Sequence, residues 1–198
     1  MNILPEILWR MPDEYVYLTF DDGPDSAITP ALLRLLAEFQ IPVTFFVIGK
    51  KVEQHPGILA KIQAAGHAIG NHSFSHTVMT WKSRLDIERE LTQTDKVILR
   101  TTGKTATLFR PPHGRFGPNL LRSLRAVNRK MVLWNHSTKD YRATTTTRQI
   151  QSRLHTVRPG QIVLLHDGHA NSGRMLTALK NALPDLLERK VKFKALPC

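Results

Sequence analysis

The sequence predicts an α/β fold, a distorted (β/α)7 barrel with parallel strands inside and helices outside. Strand-like and helix-like segments alternate about seven times with short connections, as in parallel sheets wrapped by helices. One strand-length run, Val43-Thr44-Phe45-Phe46-Val47-Ile48-Gly49, is almost continuously apolar, which suits a strand covered on both faces. An open doubly wound sheet is the other arrangement compatible with this pattern. No glycine-rich phosphate fingerprint follows any strand, which speaks against a nucleotide site.

Taken in order, residues 15–20 are rich in β-branched and aromatic side chains and read as the first strand. Gly23-Pro24 stops it. Thr29 stands where an N-cap belongs, with Pro30 at the first helical position. Leu32, Leu35, Leu36 and Phe39 then share one helical face, and Pro42 ends the helix. Residues 43–49 form the second strand. His55-Pro56-Gly57 opens a helix over 58–65 that Gly66 closes. A third strand over 68–71 follows, then a long amphipathic helix over 83–100 marked by Leu85, Ile87, Leu91, Val97 and Ile98. Residues 107–109 are a brief fourth strand ending at Arg110-Pro111-Pro112. Pro118 begins a helix through Leu120, Leu121, Leu124 and Val127, and 131–134 is the fifth strand. The threonine run 144–147 supplies an N-cap for a helix over 150–157. Pro159-Gly160 turns into a sixth strand over 162–165. A helix over 175–188 and a strand over 191–196 complete the pattern.

At 198 residues the length suits one domain. Residues 1–14 read as a lead-in and 15–198 as the domain itself. The one cysteine, Cys198, excludes a disulfide scaffold. The first ten residues lack a basic start followed by a long apolar stretch. No run approaches the roughly 20 apolar residues of a membrane span. The sequence alone thus points to the cytoplasm while leaving the compartment open, and a monomer is expected. The net charge of +12 is uneven: residues 1–99 carry 9 Lys and Arg against 12 Asp and Glu, and residues 100–198 carry 19 against 4. Such asymmetry suits an anionic partner, although a solvated basic face would look the same. No basic motif interleaved with aromatics marks a nucleic-acid module, so nucleic acid is not the expected partner. Asp140 is the lone acid between Asp95 and Asp167, so something in that basic stretch needs a negative charge.

Nearly every reactive side chain follows a predicted strand. Asp21 and Asp22 follow the first, His72 and His76 the third, Arg110 and His113 the fourth, Asp140 the fifth, and His166 and Asp167 the sixth. That end of the strands is where α/β barrels keep their chemistry. Adjacent carboxylates repel unless a cation sits beside them. Histidines four apart share one face of a helical turn, a spacing used for zinc. Two histidines with one aspartate leave a coordination position open for water, as in catalytic rather than structural zinc sites. A metal so held lowers the pKa of water from about 15.7 toward about 7. A carboxylate that does not ligate can then accept the proton, and a separate histidine can protonate a leaving group.

Thr19-Phe20-Asp21-Asp22-Gly23-Pro24, His72-x-x-x-His76, Arg110-Pro111-Pro112-His113-Gly114, Asp140-Tyr141 and Leu164-Leu165-His166-Asp167 occur in that order. The set resembles the polysaccharide deacetylase family with the NodB homology domain, carbohydrate esterase family four, over about residues 15–197. The resemblance implies a distorted (β/α)7 barrel that removes acetyl groups from N-acetylated sugar polymers of the chitin or peptidoglycan type. It implies Asp21 as general base, with Arg110 holding it. Asp22, His72 and His76 would be ligands of a divalent metal, usually Zn²⁺. His166 would be the general acid, charged and oriented by Asp140. The backbone near His113 would help stabilise the oxyanion, Trp134 and Leu164 would line the acetyl pocket, and Pro111 and Tyr141 would border substrate. Three positions depart from the family pattern: His113 where tyrosine is frequent, Tyr141 where tryptophan is frequent, and Ser137 where an acid is frequent. An O-acetyl esterase on the same site and a non-catalytic glycan- or polyanion-binding module are the alternatives. The expected partner is a carbohydrate polymer, and the basic half would suit an anionic one.

Overall fold

The computed structural model describes residues 6–197, so Cys198 lies outside the described residues. The first half of the chain gives β1 (Ile7–Leu8), β2 (Tyr15–Gly23), α1 (Ile28–Glu38), β3 (Thr44–Val47), α2 (Gly49–Gln54), α3 (Pro56–Ala64), β4 (Ala68–Asn71) and α4 (Arg84–Thr102). The second half gives β5 (Leu108–Phe109), a 3-10 turn at Pro112–Gly114, α5 (Pro118–Ala126), β6 (Lys130–Val132), β7 (His136–Ser137), α6 (Thr147–Leu154), β8 (Ile162–His166), α7 (Ser172–Glu188) and β9 (Lys192–Phe193).

Every ladder between named strands is parallel. The sheet order is β1-β6-β5-β4-β3-β2-β8-β7, with β9 added to β2. Strands β2 to β6 therefore lie side by side in chain order, and β8 returns beside β2. The ring stays open between β6 and β8, where β1 extends one side and β7 the other. This is the expected distorted α/β barrel, open at one seam. Ile7–Leu8 and Arg10, which pairs with Gln161, bring the lead-in segment into the sheet.

Alternation along each strand sorts side chains into two layers. Val16, Leu18 and Phe20 of β2, Phe45 and Val47 of β3, and Val163 and Leu165 of β8 pack with Leu32, Leu36, Leu59, Leu179 and Leu183 of the helices. The intervening residues Tyr17, Phe46, Leu108, Val132 and Ile162 form a separate interior cluster that Leu196 closes. Thr19, Asp21, Leu164 and His166 share the parity of that interior set. The bottom of the barrel is thus filled with apolar side chains, while its upper interior is polar.

Three local expectations are corrected. Residues 49–54 form α2, where the expectation was a strand end at Gly49 and no element over 50–54. Thr29 lies inside α1 and not at its N-cap; Asp25 Oδ1 accepts from the amides of Ala27 and Ile28 at 2.9 and 2.8 Å, and Thr29 Oγ1 instead donates to the Asp167 carboxylate. Leu85 and Val127, expected on buried faces, are exposed. Other boundaries follow their signals. Ser83 Oγ accepts from Asp86 N to start α4, and Gly103, with φ 68°, ends it. Thr146 and Gln149 make a reciprocal capping box at α6.

Candidate active site

The two aspartates face one cavity because β2 is irregular. Its ladder to β3 pairs Asp21 with Phe46 and Gly23 with Val47, so Asp22 is an extra, bulged residue. Its φ of 71° is left-handed, a region that Asp enters more readily than most side chains. Both carboxylates consequently line a cavity of about 670 Å³. The fit is close: a Cβ on Gly168 would collide with the Asp22 carbonyl oxygen, and one on Gly23 with the Asp167 carboxylate.

His72 and His76 come together without a helix, which corrects the expected helical turn. The chain after β4 instead folds through left-handed residues at Ser73 (φ 66°) and His76 (φ 56°). Ser73 Oγ accepts from His76 N at 3.0 Å, and Asn71 Oδ1 accepts from Ser73 N at 2.8 Å. From α4, Glu90 accepts the amides of Phe74 and Ser75 at 2.9 and 2.8 Å. The ligand atoms of Asp22, His72 and His76 lie within 4.8 Å of one another. His76 Nε2 is 3.0 Å and His72 Nε2 3.4 Å from Asp22 Oδ1.

His72 Nδ1 lies 2.7 Å from the Arg110 carbonyl oxygen. A carbonyl only accepts, so Nδ1 carries a proton, and Nε2 is the nitrogen turned toward Asp22. Asp22 Oδ1 is buried and has no hydrogen-bond partner. Two imidazole nitrogens gathered on one buried carboxylate oxygen form a cluster that could hold a cation. One oxygen and two imidazole nitrogens suit a divalent metal of the zinc type and leave a position open. The carbonyl on His72 Nδ1 is the kind of outer partner that fixes a ligating ring.

Asp21 is held from behind. Arg110, fully buried, donates through Nη1 to Asp21 Oδ1 and Thr19 Oγ1, both at 2.7 Å, and through Nη2 to the Leu133 carbonyl at 3.1 Å. Its guanidinium stacks 4.2 Å from the Phe46 ring centroid. Burial lowers the Arg110 pKa while the Asp21 carboxylate works to raise it. Asp21 Oδ2 is not taken up by this clamp and lies 3.8 Å from His72 Nε2.

His166 ends β8 on the interior face. Its Nδ1 is 3.0 Å from Asp140 Oδ1, and Asp140 Oδ2 accepts the His166 amide at 2.8 Å. Thr138 Oγ1 donates to Asp140 Oδ1 at 3.0 Å. Burial alone would lower the His166 pKa; the bond to Asp140 and its charge, with Asp21 and Asp22 farther off, raise it to about 9. The lone acid between Asp95 and Asp167 is therefore buried against a histidine. Asp167 turns away from the cavity toward Thr29, and its Oδ1 has no hydrogen-bond partner. Burial pushes its carboxyl up to about 7.

His113, Trp134, Tyr141 and Leu164 also line the cavity. Pro111, expected at substrate, does not: it is buried behind the turn, where its carbonyl accepts from Gly114 N at 2.9 Å. His169 is at the cavity, whereas His136 is turned away, with Nε2 3.0 Å from the Arg153 carbonyl. Ile48, Lys50, Lys51, Gln54, Ser75 and Gly168 complete the lining. Lys50, Lys51 and Gln54 were missed because α2 itself was missed. The signal was available, since they directly follow β3 at the same end of the sheet.

Fold and site together define a class: parallel α/β barrels with three side chains that could hold a metal ion at the C-terminal ends of the strands. The chain belongs to the polysaccharide deacetylase family, whose profile matches residues 10–132. It is 31% identical over 194 residues to a chitooligosaccharide deacetylase of Azorhizobium caulinodans, covering 92% of each chain. A crystal structure of a peptidoglycan N-acetylglucosamine deacetylase superposes with a TM-score of 0.92 at 28% identity, over 98% of this chain and 92% of that one. A family 4 acetyl xylan esterase from Clostridium thermocellum, solved with a cobalt ion, gives a TM-score of 0.85 at 32% identity, over 92% and 88%.

Proposed function

We propose that this protein hydrolyses the acetamido groups of N-acetylglucosamine-containing oligomers or polymers, with a divalent metal held by Asp22, His72 and His76. The observation that carries this reading is the buried Asp22 oxygen, unpartnered yet facing two imidazole nitrogens. The activities named for the similar proteins agree with it. The donor set suits Zn²⁺. Such an ion, when bound, polarises the acetyl carbonyl and acidifies water.

The chain's own groups supply the proton transfers. Asp21, fixed by Arg110 through one oxygen, uses the other to take a proton from the attacking water. His166 begins protonated, its charge balanced by Asp140, and gives that proton to the departing nitrogen. The carbonyl carbon gains a C–O bond, the C–N bond breaks, and acetate and a free amine result. Backbone N–H groups near His113 stabilise the oxyanion. Leu164 and Trp134 offer apolar surface to the acetyl methyl, and Tyr141 stands beside His166 with ring centroids 5.5 Å apart.

Acetate release from N-acetylglucosamine oligomers tests the proposal. Release should stop on chelation and return with zinc; no acetate in any metal state would sink it. The likeness to an acetyl xylan esterase supports a second reading, an O-acetyl esterase on the same groups. Acetate from O-acetylated xylan, with none from the amides, would establish that reading instead.

A further inference from the structure

Asp167 is fully buried, and none of the proton transfers or metal contacts described above uses it. Its Oδ2 accepts from the Thr29 hydroxyl, and its Oδ1 has no hydrogen-bond partner. A carboxylate in such a place costs stability, so its position calls for a reason beyond packing.

That reason lies in what it rests against. Asp167 N donates to the Asp21 carbonyl at 3.1 Å. The Asp167 carboxylate occupies the space that a Cβ on Gly23 would take. Thr29, whose hydroxyl reaches Oδ2, also accepts from Asp25 N at 2.8 Å, and Thr29 N donates to the Asp25 carbonyl at 3.3 Å. Thr29 thus joins the loop after β2 and the start of α1 to the end of β8. One residue on, the Asp22 carbonyl fills the space of a Cβ on Gly168, and Lys51 Nζ, from α2, donates to the Gly168 carbonyl at 2.7 Å. Residues 22 and 23 therefore press directly on residues 167 and 168, which are tied in turn to α1 and α2. A left-handed aspartate such as Asp22, with φ 71°, keeps that conformation only where its surroundings enforce it. The ladder to β3 resumes at Gly23, the residue that the Asp167 carboxylate meets.

Resting on the metal assignment in the reading above, we propose that Asp167 is a positioning residue for the metal site. Clasped by Thr29, its carboxylate backs Gly23 and holds the bulge so that Asp22 points at His72 and His76. It lines no part of the cavity and acts through the backbone of residues 21–23.

Zinc affinity, read by chelator competition on the whole chain, tests this without a substrate. Asp167→Ala should weaken zinc binding by about 10- to 100-fold; Asp167→Asn, which keeps an oxygen for Thr29 and a planar group against Gly23, should weaken it by no more than about threefold. Thr29→Val should weaken it by about 10-fold, and Thr29→Ser should restore it. The double variant Asp167→Ala/Thr29→Val should bind no worse than Asp167→Ala alone, since both changes break one clasp. Ile62→Val, a change in the buried core on α3, destabilises the fold without reaching the clasp and should leave the affinity as it is. A folded Thr29→Val protein with wild-type zinc affinity, or an Ile62→Val loss as large as that of Thr29→Val, would overturn the proposal whether or not Asp167→Ala folds. Zinc binding that responds as expected, with no acetate released from any N-acetylglucosamine oligomer, would support the positioning role and overturn the deacetylase reading alone.

Discussion

Adjacent carboxylates with different partners should fail differently when neutralised. Asp21→Asn keeps the shape of the Arg110 clamp but removes the base, so turnover should fall by about 10²- to 10⁴-fold. Metal affinity should stay near wild type, as measured by elemental analysis after dialysis. Loss of the metal would exchange the duties assigned to Asp21 and Asp22. A second prediction concerns His166. With its folded-state pKa raised to about 9 against about 6.5 when free, its protonation stabilises the fold fully below pH 6.5. That contribution fades as pH rises through 9. In metal-free Asp140→Asn, burial acts unopposed by the Asp140 charge, and the His166 imidazole should titrate well below its wild-type value by NMR. An unchanged titration would remove Asp140 from its proposed duty. That these residues would gather at one site was legible in the sequence, because each sits in a short motif after a strand. What could not be read was Pro111, whose motif neighbours reach the cavity while its own ring packs behind the turn.

At the scale of elements, the site depends on close backbone approach. Gly168 has no room for a side chain against the Asp22 carbonyl. Gly168→Ala should push the bulge outward and weaken zinc binding by about 10- to 100-fold in a chelator competition; unchanged affinity would show that the β8–α7 loop can yield. Such contacts are between chain segments distant in sequence, and no local pattern announces them. The same limit explains the misread pieces. β1 and β7 are two residues long and exist only through their parallel partners, so neither carries a periodicity to detect. Residues 49–54 hold no apolar stripe, and only Val52 of the α2 side chains is fully covered. Thr29 carried an N-cap signature, but a buried carboxylate from β8's far end competed for its hydroxyl. The long, periodic or capped elements α1, α4, α6 and β8 were all recognisable, because their signals lie within one turn or one strand.

Across the whole molecule, the seven-fold alternation was legible and the open seam was not, since nothing in the pattern states where the ring fails to close. Two ligands of the proposed metal lie on one loop and the third on the central strand, so the ion would cross-link elements that separate on unfolding. Saturating zinc at about 100 times its dissociation constant should raise unfolding free energy by about 2.7 kcal/mol over the chelated protein. Denaturant titrations with and without chelator measure this, and coincident curves would contradict a site held together by the native fold. The bulge at Asp22 carries a further consequence for how this site can be lost. Its duty follows from a count of residues rather than from side-chain identity, because one surplus position lets two neighbours look the same way. Excising Gly23 would pair Asp22 with Val47 in a regular ladder, turn its carboxylate toward the helices, and abolish the centre with every ligand still encoded.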